Sequence, residues 1–233
     1  MDASLLGFLI ALAICAIIVI PLGDLLRKHP VPFYAVAVIA TVLYVWAISS
    51  GVNLTAVRPL TVMMQRGYLA SIMLAVVMFC GCFDEGTPIR KKLQPIRGEL
   101  SILSFIFILA HLWSYLPNLL MHFDRYMSAR GNIAFSTITA LVLTVIFAVL
   151  AVMSLRVIRT NMNTRIWKNI QRFAYLMVLL LAVHIAFALG KSAFANPGSL
   201  AMLSFASYMV VIAVYAVLRI LKYRRDSAKK QAS

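Results

Sequence analysis

Apolar residues gather in seven runs, at about 4–22, 32–50, 66–83, 100–120, 134–154, 173–190 and 199–219, with polar and charged residues between them. Each run is close to the ~20 residues, within a range of ~17–25, that a helix needs to cross the hydrocarbon core of a bilayer. The seven acids (Asp2, Asp24, Asp84, Glu85, Glu99, Asp124 and Asp226) all lie between the runs or at their edges. A carboxylate in hydrocarbon is costly, so this placement is what spanning segments require. The period-two alternation of a membrane β-barrel is not visible, and an open sheet edge cannot face lipid. The pattern therefore predicts an all-α integral membrane protein built as a seven-helix bundle.

Composition narrows the class further. Of the 233 residues, 63% are apolar and 12% charged, against ~45–50% and ~25% in soluble domains. Mean hydropathy is +0.92. A soluble enzyme, a disordered chain and a disulfide scaffold are excluded, and the first partner is membrane lipid. The net charge of +15 resembles that of nucleic-acid binders. Basic residues collect in cytoplasmic loops of membrane proteins, however, so no nucleic-acid partner is needed to explain it. Counted on alternating sides of the runs, 17 Lys and Arg fall on one side, among them Arg27, Arg90, Arg156, Arg165 and Arg224. Only five, Arg58, Arg66, Arg125, Arg130 and Lys191, fall on the other. The split puts the N-terminus outside and the C-terminus in the cytoplasm of an inner or plasma membrane. The first run has Asp2 in place of a basic leader and no small-residue cleavage site, and so reads as a span, not a signal peptide. The closing KYRRDSAKK reads as a polybasic tail for anionic lipid, at ~1 kcal/mol per charge.

Two histidines are set apart from the rest. His29 and His122 fall in loops, whereas His111 and His184 lie inside the fourth and sixth runs, where an ionisable group marks function by default. His111 is 11 residues beyond Leu100 and His184 is 11 beyond Phe173. At 1.5 Å per residue both sit roughly 16 Å from the inner edge, at or just past mid-membrane. Two neutral imidazoles at equal depth suit the two axial positions of a haem, and filling both favours electron transfer over oxygen binding. Ala110, Ala182, Ala186 and Ala188 leave room for a macrocycle, and Phe105, Phe107, Trp113 and Phe187 can wall it. The competing reading is a His–His or His–backbone hydrogen bond between helices, worth ~0.6 kcal/mol on average in one membrane protein. Cys15, Cys80 and Cys82 lack nearby partners for a metal site and read as packing. Met63 and Met64, in an outer loop, read as interfacial. Asn53-Leu54-Thr55 matches a glycosylation sequon.

From Gly67 onward the chain resembles the ferric-reductase-like transmembrane family. Three stretches carry the likeness: GYLASIMLAVVMF with the following PIRKKLQPIRGELS; LSFIFILAHLWSYL, which holds the family's haem histidine at His111; and AVMSLRVIRTNMNTRIWKNIQRFAYLMVLLLAVHIAF, which ends on the late histidine, His184. Within the family the likeness is greatest to the MsrQ/YedZ-type haem-binding membrane subunits that serve periplasmic methionine sulfoxide reductases. The resemblance implies a ferric-reductase-like haem-binding core over 66–220, preceded by two further helices in 1–65 and followed by a basic tail at 221–233. It implies His111 and His184 as the haem and iron ligands. The family's second histidine, 13 residues before the late one, is replaced here by Gln171. Related NADPH oxidases carry an inner histidine on the other helix, and that position falls on Arg97 or Gly98. An amide and a guanidinium are poor iron ligands, so the family's two-haem ladder is expected to be cut to one haem b.

The expected function is that of a membrane cytochrome b subunit. It would take electrons from a quinol or a cytoplasmic flavoprotein, steered by basic inner loops, and deliver them to an extracytoplasmic reductase or acceptor, with quinone as a possible second cofactor. The chain has no G-x-G-x-x-G and is read as a relay. Arg125, Arg130 and Lys191 are candidate partners for haem propionates. The alternative is a haem-free membrane anchor or assembly factor. A transporter fits less well, for want of intramembrane acids and paired broken helices.

Overall fold

The computed structural model describes residues 3–128 and 132–231, and every regular element among them is helical. Among the described residues, six stretches are long and apolar enough to cross a membrane: Pro30–Ser49, Thr55–Cys80, Pro88–Met121, Ile133–Ser154, Thr164–Ala195 and Ala201–Ala228. The first expected run ends early. Helix α1 (Ala3–Val19) has 17 residues, roughly 26 Å at 1.5 Å each, and it stops because Pro21 disfavours helical geometry at the residue before it. A short α2 (Gly23–Lys28) follows.

The chain forms two compact units. One holds the residues up to Leu120 together with Ser154–Arg156, and the other holds the rest. In the first unit, α3 (Pro30–Ser49) opens with proline in its first turn, where the missing N–H costs nothing. Then come a 3₁₀ turn at Thr55–Val57, α4 (Arg58–Gln65), α5 (Tyr68–Cys80), α6 (Pro88–Leu93), a second 3₁₀ turn at Gln94–Ile96 and α7 (Arg97–Met121). The Asn53 side chain accepts from the N–H and hydroxyl of Thr55 at 3.0 and 2.6 Å, just ahead of the turn.

Helix α5 is the centre of this unit, burying Tyr68, Leu69, Ala70, Met73, Leu74, Val77 and Cys80. Helix α1 reaches it through a stripe of small buried residues, Ser4, Gly7, Ala11 and Cys15, the spacing that lets helix backbones approach in lipid. The approach is close enough that a Cβ on Gly7 would lie 2.6 Å from the Pro59 carbonyl oxygen. Met63 and Met64, expected in a loop, are buried on α4 instead. Hydroxyl groups fasten the remaining helices. Ser104 donates to the Ala70 carbonyl at 2.6 Å, Thr41 to the Ile106 carbonyl at 3.4 Å, and Tyr44 pairs with Ser114 at 2.8 Å. Trp113 Nε1 donates to Ser49 at 3.1 Å.

The acid expected at the edge of the fourth run is inside the protein. Glu99 is 5% exposed, and its Oε1 lies 3.7 Å from Arg156 Nη2, which also donates to the Arg27 carbonyl at 3.1 Å. Its Oε2 is buried without a hydrogen-bond partner. The Arg156 cation thus ties α2, α7 and the segment that follows Ser154.

In the second unit, α8 (Phe123–Ser128), α9 (Asn132–Ser154) as far as Met153, α10 (Arg156–Asn161) from Val157 and α11 (Thr164–Gln171) lead into α12 (Phe173–Ala195) and α13 (Leu200–Gln231). The four-residue link between the last two makes them an antiparallel pair. Their register shows at both ends: Phe194 meets Phe205 with ring centroids 5.5 Å apart, and Arg219 lies over the Tyr175 ring at 5.1 Å and donates to its hydroxyl. Trp167 Nε1 on α11 donates to the Met153 carbonyl at 3.0 Å. The basic tail expected after the last span is helical as far as Gln231. No glycine or proline interrupts it, and Lys222 is buried and paired with Asp226 one turn on at 3.3 Å.

Two stability outcomes follow from this packing. Gly7→Ala pushes into backbone and should cost about 1–3 kcal/mol, the range for overpacking, in thermal unfolding in detergent. Gly86→Ala, with open space around it, should stay within ~0.5 kcal/mol of wild type. Arg156→Ala strips a buried carboxylate of its cation and should lower the melting temperature more than Glu99→Gln does. The double variant should lose less than the two single losses together. Strict additivity would show that the pair does not interact.

Candidate functional site

His111 sits on α7 beside the point where α4 and α5 part. Arg66 closes α4, and Gly67 then takes a left-handed conformation with φ of 66°. The last four carbonyls of a helix have no partner within it, and Gln65 supplies one of these. His111 Nδ1 lies 2.7 Å from that carbonyl oxygen. A carbonyl can only accept, so Nδ1 carries the proton and Nε2 carries the lone pair. Gly67 packs directly against the imidazole, with a hypothetical Cβ 3.4 Å from both Cβ and Cγ of His111. The Tyr115 ring lies 5.1 Å from the His111 ring. Arg66 stands between the two residues that touch His111, and its Nη1 reaches the Tyr68 hydroxyl at 3.4 Å.

His184 is held in the same manner inside the second unit. Its Nδ1 lies 3.0 Å from the Ser136 carbonyl oxygen and 3.3 Å from the Ser136 hydroxyl, both on α9. Again the carbonyl fixes the proton on Nδ1 and the lone pair on Nε2. One turn away, Phe187 stacks on Phe135 with centroids 5.3 Å apart. Both histidines therefore make an interhelical His–backbone bond, and both make it with the same nitrogen. A metal-bound histidine commonly donates its other ring N–H in this way.

The other expected residues are placed more variously. Ala110 is fully buried and Phe107 nearly so, so protein packing uses that side of α7. Trp113 is bonded to Ser49. Ala186 and Ala188 are exposed, and Ala182 is half-buried. Arg125 and Lys191 are exposed, and Arg130 lies outside the described residues. Cys80 donates its thiol to Gln94 at 3.5 Å, and Cys82 is buried. The Gln171 Nε2 atom is buried without a hydrogen-bond partner. Gln65, Gly67 and Ser136, which orient the two rings, were not anticipated. The signal for the first two was present: a glycine after Gln-Arg at the head of an apolar run marks a helix end as readily as a span boundary.

Among the described residues, no three His, Cys, Asp or Glu side chains converge. A bare metal ion there would lack ligands, whereas a porphyrin brings four nitrogens of its own and asks the protein for two. Within its own unit each imidazole presents an Nε2 lone pair of the kind such a group takes.

No solved structure matches the chain. An uncharacterized protein of Treponema pallidum (strain Nichols) is 28% identical over 190 residues, which cover 79% of this chain and 51% of that protein. The chain thus spans about half the length of the curated relative it matches. The model of the ferric reductase like transmembrane component matches residues 66–182, just over half of the chain, a stretch that holds Gly67 and His111 and stops two residues before His184. The chain belongs to the ferric reductase-like transmembrane family.

Proposed function

We propose that this protein is a membrane cytochrome b subunit that holds one haem b through Nε2 of His111 and Nε2 of His184. It relays electrons from a quinol or a cytoplasmic flavoprotein to an extracytoplasmic reductase or acceptor, as the MsrQ/YedZ-type subunits it resembles would do. The observation that carries the reading is the pair of Nδ1–H bonds to Gln65 and Ser136. Each leaves the other ring nitrogen as a neutral donor and restrains its ring about the Cβ–Cγ bond. Haem, when bound, supplies a one-electron ferric–ferrous couple. The chain's part is to present two imidazoles, to surround the group with apolar helix faces and to keep water from it. Arg66 is the cation available beside His111 for an anionic substituent, with Arg125 and Lys191 as outer candidates. With Gln171 in place of an inner histidine, a second haem lacks a ligand.

The ligand test is spectroscopic. Wild type should show a low-spin b-type spectrum and about one haem per chain by pyridine haemochrome assay. His111→Ala and His184→Ala should each abolish it. Two haems per chain would expose a missed ligand. Wild-type spectra in both single variants would remove the assignment, and a haem-free wild type would favour an anchor or assembly factor.

Topology belongs to the same proposal. The excess of Lys and Arg on one side favours an outside N-terminus and a cytoplasmic C-terminus in the inner or plasma membrane. Opposite ends require an odd number of crossings. With six long apolar helices, α1 must then be the seventh, at 17 residues the lower limit of a span. Reporter fusions should place the two termini on opposite sides, with the C-terminus inside. Termini on the same side would show that α1 does not cross.

A further inference from the structure

Resting on the haem reading above, we infer that the break between α4 and α5 is a positioning device. The left-handed turn at Gly67 aims the Gln65 carbonyl at His111 and so fixes the ring plane and donor strength of that axial imidazole. Gly67 is then a positioning residue that sets the haem potential.

Helical geometry gives the first part of the argument. In an unbroken helix the Gln65 carbonyl would point along the axis toward the N–H four residues on. The helix stops at Gln65 and restarts at Tyr68, and the carbonyl instead meets a side chain from α7 at 2.7 Å. Only glycine makes such a turn without a Cβ penalty. Space gives the second part. A Cβ at Gly67 would lie 3.1 Å from Ile108 Cδ1 and 3.4 Å from two atoms of His111, so the missing side chain is the gap into which the imidazole is set.

The contrast with the second histidine gives the third part. Ser136 lies within the continuous helix Asn132–Ser154, where a carbonyl is already an acceptor in the helical ladder, and its contact with His184 is longer, at 3.0 Å. The His111 bond comes from a helix end and is the shorter of the two. A stronger Nδ1–H bond raises the basicity of the ligating nitrogen. A more basic axial ligand favours ferric over ferrous iron, and second-shell hydrogen bonding is one of the protein's means of tuning a haem. His111 is thus the stronger donor of the pair, and the helix break holds the potential down.

Gly51 provides a matched control. It has the same φ of 66° with nothing within 4 Å of a hypothetical Cβ, so Gly51→Ala carries the backbone strain without the crowding. In haem-loaded protein, Gly67→Ala and Gly67→Asn should each raise the midpoint potential and shift the largest g value of the oxidised haem in electron paramagnetic resonance. Asparagine tolerates the left-handed region, so its variant isolates the side chain pressed on His111. Gly51→Ala should leave both readings at wild-type values. Unchanged potential and g values in the two Gly67 variants, with haem retained, would overturn the inference. Should neither variant fold, the wild type decides. Its two exchangeable imidazole protons, read by pulsed electron–nuclear double resonance, must differ in coupling, and equal couplings overturn the inference. A wild type without a low-spin haem spectrum would sink the underlying functional reading instead, so the two failures are distinguishable.

Discussion

A backbone carbonyl freed from its helix needs a new donor, and away from water the protein must supply it. At the end of α4 that donor is His111, through the 2.7 Å contact with Gln65. Much of the first unit is arranged around this exchange. The glycine that ends the helix also makes room for the ring, and the arginine between them reaches the Tyr68 hydroxyl at the head of the central helix. Tyr68 in turn pairs with Ser4 at 2.7 Å and meets Phe8 edge to face at 5.7 Å. One polar contact is therefore continuous with the packing of α1, α4 and α5, and a change at the break is felt by each of them.

The means of cohesion elsewhere are those expected where apolar burial gives helices little reason to associate. Lipid tails solvate leucine as well as another helix does, so association rests on close approach and on hydrogen bonds. In the first unit the close approach is the small-residue stripe of α1, and the hydrogen bonds are single hydroxyls reaching across to a carbonyl or to another hydroxyl. In the second unit the corresponding contacts are aromatic and cationic, with Phe194–Phe205 and Tyr175–Arg219 at opposite ends of the helical pair. Glu99 stands outside this pattern as a charge kept within the protein and matched by a single arginine.

The class of the protein and most of its long helices were legible in the sequence, because twenty apolar residues in a row have few alternatives. The points that escaped are those where a local residue competes with the run. Pro21 cuts the first run short, and the segment before the third run, expected as an outer loop, winds into α4 and buries Met63 and Met64. After Ile220 the last helix continues through the basic residues, because helix propensity, high for Lys, Arg, Ala and Gln, keeps the backbone wound. His111 and His184 stood out by being ionisable in apolar runs. Their carbonyl partners did not, since every residue has a carbonyl and only the fold shows which one is turned aside. Glu99 was correctly placed at the edge of its run, but nothing in the one-dimensional pattern distinguishes an edge facing water from one covered by Arg156.

The final helix also sets a distance. Its 32 residues make a rod roughly 48 Å long, set against hydrocarbon roughly 30 Å thick. Set along the membrane normal, such a rod would leave about a third of its length clear of the lipid tails. A flexible tail of the same composition would spread its cations as a diffuse cloud, whereas here each residue is offset by a fixed rise and a fixed rotation from the one before. The Cα atoms of Arg224 and Arg225 thus sit at a fixed register along the helix from Arg219, which is held on Tyr175.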